Sequence, residues 1–212
     1  TLRGAGRNTV SLPAMRRANL FLCFATVCSR ISLPGNNRPD GWRSVEQAYA
    51  AGMGHASYYR VLEAEGWLRR IDDAAALGRH LAEWETWEGA GDSPQPPIGY
   101  VLSMEGADPI VGPWQVETWR AHGLRIVSLV HYGFNLYSYG TGTVGGLTPA
   151  GRDLLRELDR QGMILDVTHL SEPAFWEALD LFQGPVLATH NNCRALVPGD
   201  RQFSDEQIRK LI

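Results

Sequence analysis

Two apolar runs in this chain end in the same polar pair. MILDVTH (163–169) closes on Thr168-His169 and PVLATH (185–190) on Thr189-His190, with an acidic, amphipathic stretch and a Gly-Pro break between them. A strand, a helix and a second strand in such short compass leave few choices of fold. Strands that are apolar nearly throughout are buried on both faces, as in a parallel sheet covered by helices. Parallel neighbours need a crossover, and the crossover is right-handed.

The same rhythm extends over most of the chain. ANLFLCFATVC (18–28) reads as a buried strand, and residues 29–43, rich in Pro, Gly and Asn, as a loop. Val45, Ala48, Tyr49, Met53, Tyr59, Val61 and Leu62 recur at helical spacing from Ser44 to Gly66, and Ser44 with Gln47 is a capping-box signal. A second helix is expected over 72–87, followed by a break at GAGDSPQPP (89–97). Then come a strand at 98–106, a short helix at 113–122 opened by Pro113, a strand at 124–131 and a long loop at 131–146. Thr148 caps a helix to Gln161, Ser171 caps one to Phe182, and Ser204 starts another after the second Thr-His strand. The loop segment GTGTVGG (140–146) follows no strand directly and lacks the G-x-G-x-x-G spacing, which argues against a doubly wound nucleotide-binding sheet. A TIM-like (β/α)8 barrel fits better. Eight such strands occupy about 250 residues, so the expectation is one partial barrel domain spanning 1–212, with five visible strands.

Composition narrows the partners. The net charge of −3 and scattered basic residues give no nucleic-acid surface. Cys23, Cys28 and Cys193 form neither a disulfide framework nor a C-x-x-C pair, and free thiols suit a reducing, cytoplasmic setting. No apolar run approaches the ~18 residues of a membrane span. Arg16 and Arg17 ahead of ANLFLCFATVC imitate a leader peptide, but no small-residue cleavage pattern follows.

Ligands of parallel α/β folds bind at the C-terminal ends of the strands. Four successive strands here end in groups able to bind metal or move protons: Glu105, His131, His169 and His190. Imidazole and carboxylate suit zinc and similar divalent ions. Three of the six histidines take these positions, while His55 and His80 fall within helices and His122 at a helix end. Asp166 is expected to orient a ligand histidine. For Thr168 and Thr189, β-branching in a strand is explanation enough.

At SMEGAD (103–108), GLTPAGRDLLRELDRQGMILDVTHLSEPAFWEAL, GPVLATHNNCRAL and RQFSDEQ the chain resembles the membrane (renal) dipeptidase family of zinc metallopeptidases, with similarity running from about residue 18 onward. The resemblance implies an amidohydrolase-like barrel and hydrolysis of dipeptides, often with a D-residue at the C-terminal position, by a metal-bridged hydroxide. It implies that Glu105 bridges two zinc ions, that His169 and His190 complete the second, and that His131 contacts substrate. Arg201 would pair with the substrate carboxylate through its planar fork, with Asn192 and Tyr137 as further substrate contacts. Family members are commonly homodimers. The family's His-x-Asp pair for the first zinc is absent from this sequence, so the first and last barrel strands are expected to be missing. Two alternatives stay open: a related metal hydrolase acting on cyclic amides or lactams, and a catalytically inactive metal- or ligand-binding relative.

Overall fold

A computed structural model describes residues 10–36, 39–88 and 94–212; residues 37 and 38 of the first loop and 89–93 of the Gly-Pro break lie outside the described residues. The chain runs α1 (Leu12–Arg17), β1 (Leu22–Val27), α2 (Val45–Ala64), β2 (Leu68–Arg70), α3 (Ala74–Glu88), β3 (Ile98–Glu105), a 3-10 turn (Pro113–Gln115), α4 (Val116–Ala121), β4 (Leu124–Ser128), α5 (Pro149–Arg160), β5 (Ile164–Asp166), α6 (Glu172–Leu181), β6 (Val186–Leu187) and α7 (Asp205–Leu211). The strands hydrogen-bond in the order β1-β3-β4-β5-β6, with β2 also on β3. The pairings β2/β3, β4/β5 and β5/β6 are parallel, the α/β arrangement expected. β2 adds a sixth strand to the five anticipated. Its three residues, Leu-Arg-Arg, are too short and too polar to announce a strand in sequence.

The chain groups into two compact units, one of residues up to Ala25 with Ala56–Leu102, the other of Thr26–His55 with Ser103–Ile212. In the first, α3 packs through His80 and Trp84, both buried. The His80 Nε2 lies 2.7 Å from the Phe21 carbonyl oxygen, and the Trp84 indole donates to the Pro97 carbonyl at 3.2 Å. His80 is therefore a satisfied core histidine, as its helical position suggested.

In the second unit the helix ends are set by the residues that the sequence marks. Thr148 accepts from the Gly151 amide at 3.0 Å, Ser171 from that of Ala174 at 3.3 Å, and Ser204 from that of Gln207 at 3.2 Å, the last within a complete capping box. At α2, the Gln47 backbone amide donates to the Ser44 hydroxyl, but the Gln47 side-chain oxygen accepts from the Arg43 amide instead of from that of Ser44. α5 buries Leu154, Leu155 and Leu158. Each fully buried leucine contributes roughly 1.5–3 kcal/mol of transfer free energy, which anchors the helix and fixes the strands on either side of it in sequence.

Candidate metal centre

Strand register explains why distant residues meet. Ser128 of β4 lies opposite Asp166 of β5, which lies opposite Leu187 of β6. His131, His169 and His190 each stand three positions beyond that row. The Gly106 amide, just past Glu105, donates to the Ser128 carbonyl at 3.2 Å, which brings the end of β3 level with the others.

The four side chains do converge. Glu105 Oε1 lies 3.1 Å from His169 Nε2, 3.2 Å from His190 Nε2 and 3.4 Å from His131 Nε2. The two Nε2 atoms of His169 and His190 are 3.2 Å apart. Hydrogen bonding from His169 and the charge of the imidazoles, working against burial, hold the Glu105 carboxyl down to about 2, while burial pulls His169 below its usual value despite the adjacent carboxylate. Near neutral pH this is an anionic carboxylate beside a neutral imidazole, the protonation pattern of a metal ligand set.

What separates the three histidines is the partner of Nδ1. At His190, Nδ1 is 2.7 Å from the Thr189 hydroxyl, whose own proton goes to Asp166 Oδ2 at 2.7 Å. That hydroxyl must accept from Nδ1–H, so the Nε2 lone pair is turned toward Glu105. At His169, Nδ1 is 3.1 Å from the Thr141 hydroxyl, which is itself directed at the His169 carbonyl. At His131 the polarity is reversed. Arg30 Nη1 lies 2.8 Å from Nδ1, and a guanidinium can only donate, so His131 carries its proton on Nε2. Glu105, His169 and His190 accordingly form the one cluster among the described residues suited to a cation.

Asp166 ties both ligand segments together. Its Oδ1 accepts from the Thr168 amide at 3.0 Å and the Thr189 amide at 3.2 Å. The two threonines do more than favour strand: the Thr168 hydroxyl also bonds to Asn191, and Thr189 links carboxylate to imidazole. His169 sits at φ 72°, a left-handed conformation that a non-glycine residue rarely takes and that costs about 1–3 kcal/mol. Gly140 sits between the backbones that carry two of the histidines. A Cβ there would collide with the His131 carbonyl oxygen and lie 3.0 Å from that of His169.

The other predicted site residues divide. Arg201 Nη2 donates to the His190 carbonyl at 2.6 Å, and its Nη1 is buried with no partner. Asn192 is exposed, with its amide bonded to Gln202. Tyr137 is not brought to the cluster: its side chain is 2% exposed and its hydroxyl donates to the Ile110 carbonyl, so it serves as packing. Sequence reasoning missed Arg30 and Tyr132. The half-exposed Tyr132 ring lies 4.8 Å from the His131 ring and 5.0 Å from that of His169. Adjacency to His131 is the only sequence signal that could have marked Tyr132.

Fold and rim together define an α/β protein built around a candidate metal centre at its strand ends. Residues 52–212 match the family described as membrane dipeptidase (peptidase family M19), and the chain belongs to that family. It is 41% identical over 93 residues to dipeptidase tcpJ of Claviceps purpurea, a match covering 42% of this chain and 22% of that protein. Among solved structures it is similar to the metallopeptidase dipeptidase AC at 25% identity and TM-score 0.83, covering 99% of this chain and 62% of that one. A metallopeptidase from Rhodobacter sphaeroides, liganded with a phosphinate mimic of the dipeptide L-Ala-D-Ala, matches in fold at 24% identity and TM-score 0.82, covering 99% and 64%. The chain thus spans less than two thirds of these relatives.

Proposed function

We propose that this chain carries the metal centre of a zinc-dependent dipeptidase acting on dipeptides with a free C-terminal carboxylate, D-residues at that position included. One observation carries the reading: Glu105 Oε1, His169 Nε2 and His190 Nε2 stand 3.1–3.2 Å apart. Tetrahedral zinc with bonds near 2.0 Å needs ligand atoms about 3.3 Å apart. With the His190 proton on Nδ1, its Nε2 and the Glu105 carboxylate oxygen are acceptors facing each other at 3.2 Å, an arrangement that favours a cation between them. A zinc ion held there supplies an acidified water and polarises a carbonyl.

The chain's own groups do the rest. His131 offers its Nε2–H toward the centre, where it can donate to oxygen that gains charge as the peptide bond breaks. Arg201 keeps one guanidinium nitrogen buried and unpartnered next to His190, suited to a carboxylate. That feature favours a linear dipeptide over a cyclic amide, which has no terminal carboxylate. The Rhodobacter relative's ligand, a mimic of L-Ala-D-Ala, supports the same substrate class. Free thiols at Cys23, Cys28 and Cys193 support the cytoplasm as the compartment. Among the described residues no helix is long and apolar enough to cross a membrane. The homodimer implied by the resemblance belongs to the same proposal; Glu105, His169 and His190 provide for one ion.

The test is release of free amino acids from L-Ala-D-Ala by the zinc-loaded protein, with bound zinc measured in parallel. Glu105→Gln is expected to weaken zinc binding by at least about a hundredfold and to abolish release. Undiminished zinc binding and hydrolysis in that variant would remove Glu105, and the reading with it.

A further inference from the structure

We infer that Arg30 is a fixed cation that occupies the His131 ring on the side away from Glu105, and that the chain binds a single divalent ion. This rests on the metal centre proposed above. β1 leads into the segment Cys28-Ser29-Arg30, which carries no imidazole or carboxylate, and among the described residues its one possible ligand, the Cys28 thiol, joins no group of three ligand atoms. Arg30 is not a loose surface residue. The Trp42 amide donates to its carbonyl at 2.8 Å, and the next residue, Ile31, donates its amide to Asp108 at 3.2 Å. Asp108 in turn accepts from the Asn135 side chain at 2.9 Å. With the backbone held this way, the guanidinium bridges outward to Asp40 at 2.8 Å and inward to His131 Nδ1 at 2.8 Å.

Two consequences oppose a second ion. The first is charge: a permanent guanidinium cation bonded to a ring that itself touches Glu105 repels a divalent ion there. The second is ligand supply. His131 has its Nδ1 lone pair engaged by Arg30 and its proton on Nε2, so it offers donors where a metal needs acceptors.

The experiment is zinc titration of the metal-free full chain, with bound metal counted after dialysis, and the His131 tautomer read by ring-nitrogen NMR. One zinc per chain and an Nε2–H His131 are expected. Arg30→Met, which keeps length and removes charge, should bind that ion at least about tenfold more tightly and release His131 from its single tautomer. Two ions of similar affinity in the unsubstituted chain overturn the inference while leaving the Glu105–His169–His190 site intact. Unchanged affinity and tautomer in a folded Arg30→Met overturn it too. Should Arg30→Met fail to fold, the metal count and the tautomer of the unsubstituted chain decide alone. No bound zinc at all defeats the metal centre itself, and the inference with it.

Discussion

Asp166 offers a way to separate stability from metal binding within one side chain. It is 5% exposed and accepts three hydrogen bonds, from the Thr168 amide, the Thr189 amide and the Thr189 hydroxyl. In Asp166→Ala the Thr189 amide keeps its second acceptor, the Thr168 hydroxyl at 3.0 Å. The Thr168 amide is left without its acceptor. A buried donor so stranded costs about 1–3 kcal/mol, and the bonds to a charged group forgone add about as much, partly offset because the carboxylate no longer has to be desolvated. A net loss of about 2–4 kcal/mol follows, or roughly 5–15 °C in Tm for a chain of this size. Asp166→Asn is the more telling variant. The amide oxygen stays with the two backbone N–H groups, which forces the NH2 toward the Thr189 hydroxyl. That hydroxyl then turns to donate to His190 Nδ1, at 2.7 Å a nearer acceptor than the Thr168 hydroxyl at 3.3 Å, and the imidazole proton moves to Nε2, where the metal should sit. Asp166→Asn is therefore expected to lose only about 1 kcal/mol of stability yet about 10–100-fold in zinc affinity. Urea unfolding of the metal-free proteins gives the first quantity and chelator competition the second. Wild-type zinc affinity in Asp166→Asn would refute the chain of hydrogen bonds from Asp166 through Thr189 to His190.

Gly151 lies in the first turn of α5, where alanine ordinarily stabilises by about 0.5–1 kcal/mol. Here the added Cβ would overlap the Tyr137 carbonyl oxygen and stand 2.8 Å from the carbonyl carbon, so Gly151→Ala is expected to destabilise by about 1–3 kcal/mol in urea unfolding. Burial pushes the Tyr137 hydroxyl up to about 12 and Tyr100 still further. A folded state that holds its phenols protonated binds more protons than the unfolded chain above pH 10, so stability should fall as pH rises through 10 toward 12. Tyr137→Phe should flatten that decline, measured by denaturant midpoints from pH 8 to 11.

The strand-end residues were legible because an apolar run that stops on a histidine marks both the strand and its mouth. The helix starts were legible through Thr148, Ser171 and Ser204, whose side chains bond the very amides that capping requires. Strand ends were overread. MILDVTH and PVLATH suggest strands running to their histidines, yet β5 stops at Asp166 and β6 at Leu187. The Thr168 and Thr189 amides leave the ladder for the Asp166 carboxylate, and His169 turns left-handed. Those are choices of side-chain bonding that periodicity cannot register. Arg30 escaped for a similar reason. An arginine in a Pro-, Gly- and Asn-rich loop looks like a solvated surface residue, and only the backbone bonds through Asp108 and Trp42 aim it inward. The helix α1 was also missed, its six residues being signalled only by Ser11 and Pro13.

The loop over Tyr132–Leu147 is cinched at its waist and loose at its tip. Gly140 leaves no gap between the main chains of His131 and His169, whereas Val144 is 90% exposed. Length changes are tolerated at such exposed tips. A peptide tag or reporter spliced at Val144 would thus hang beside the rim while the histidines keep their spacing, whereas any graft that puts a side chain at position 140 would pry them apart.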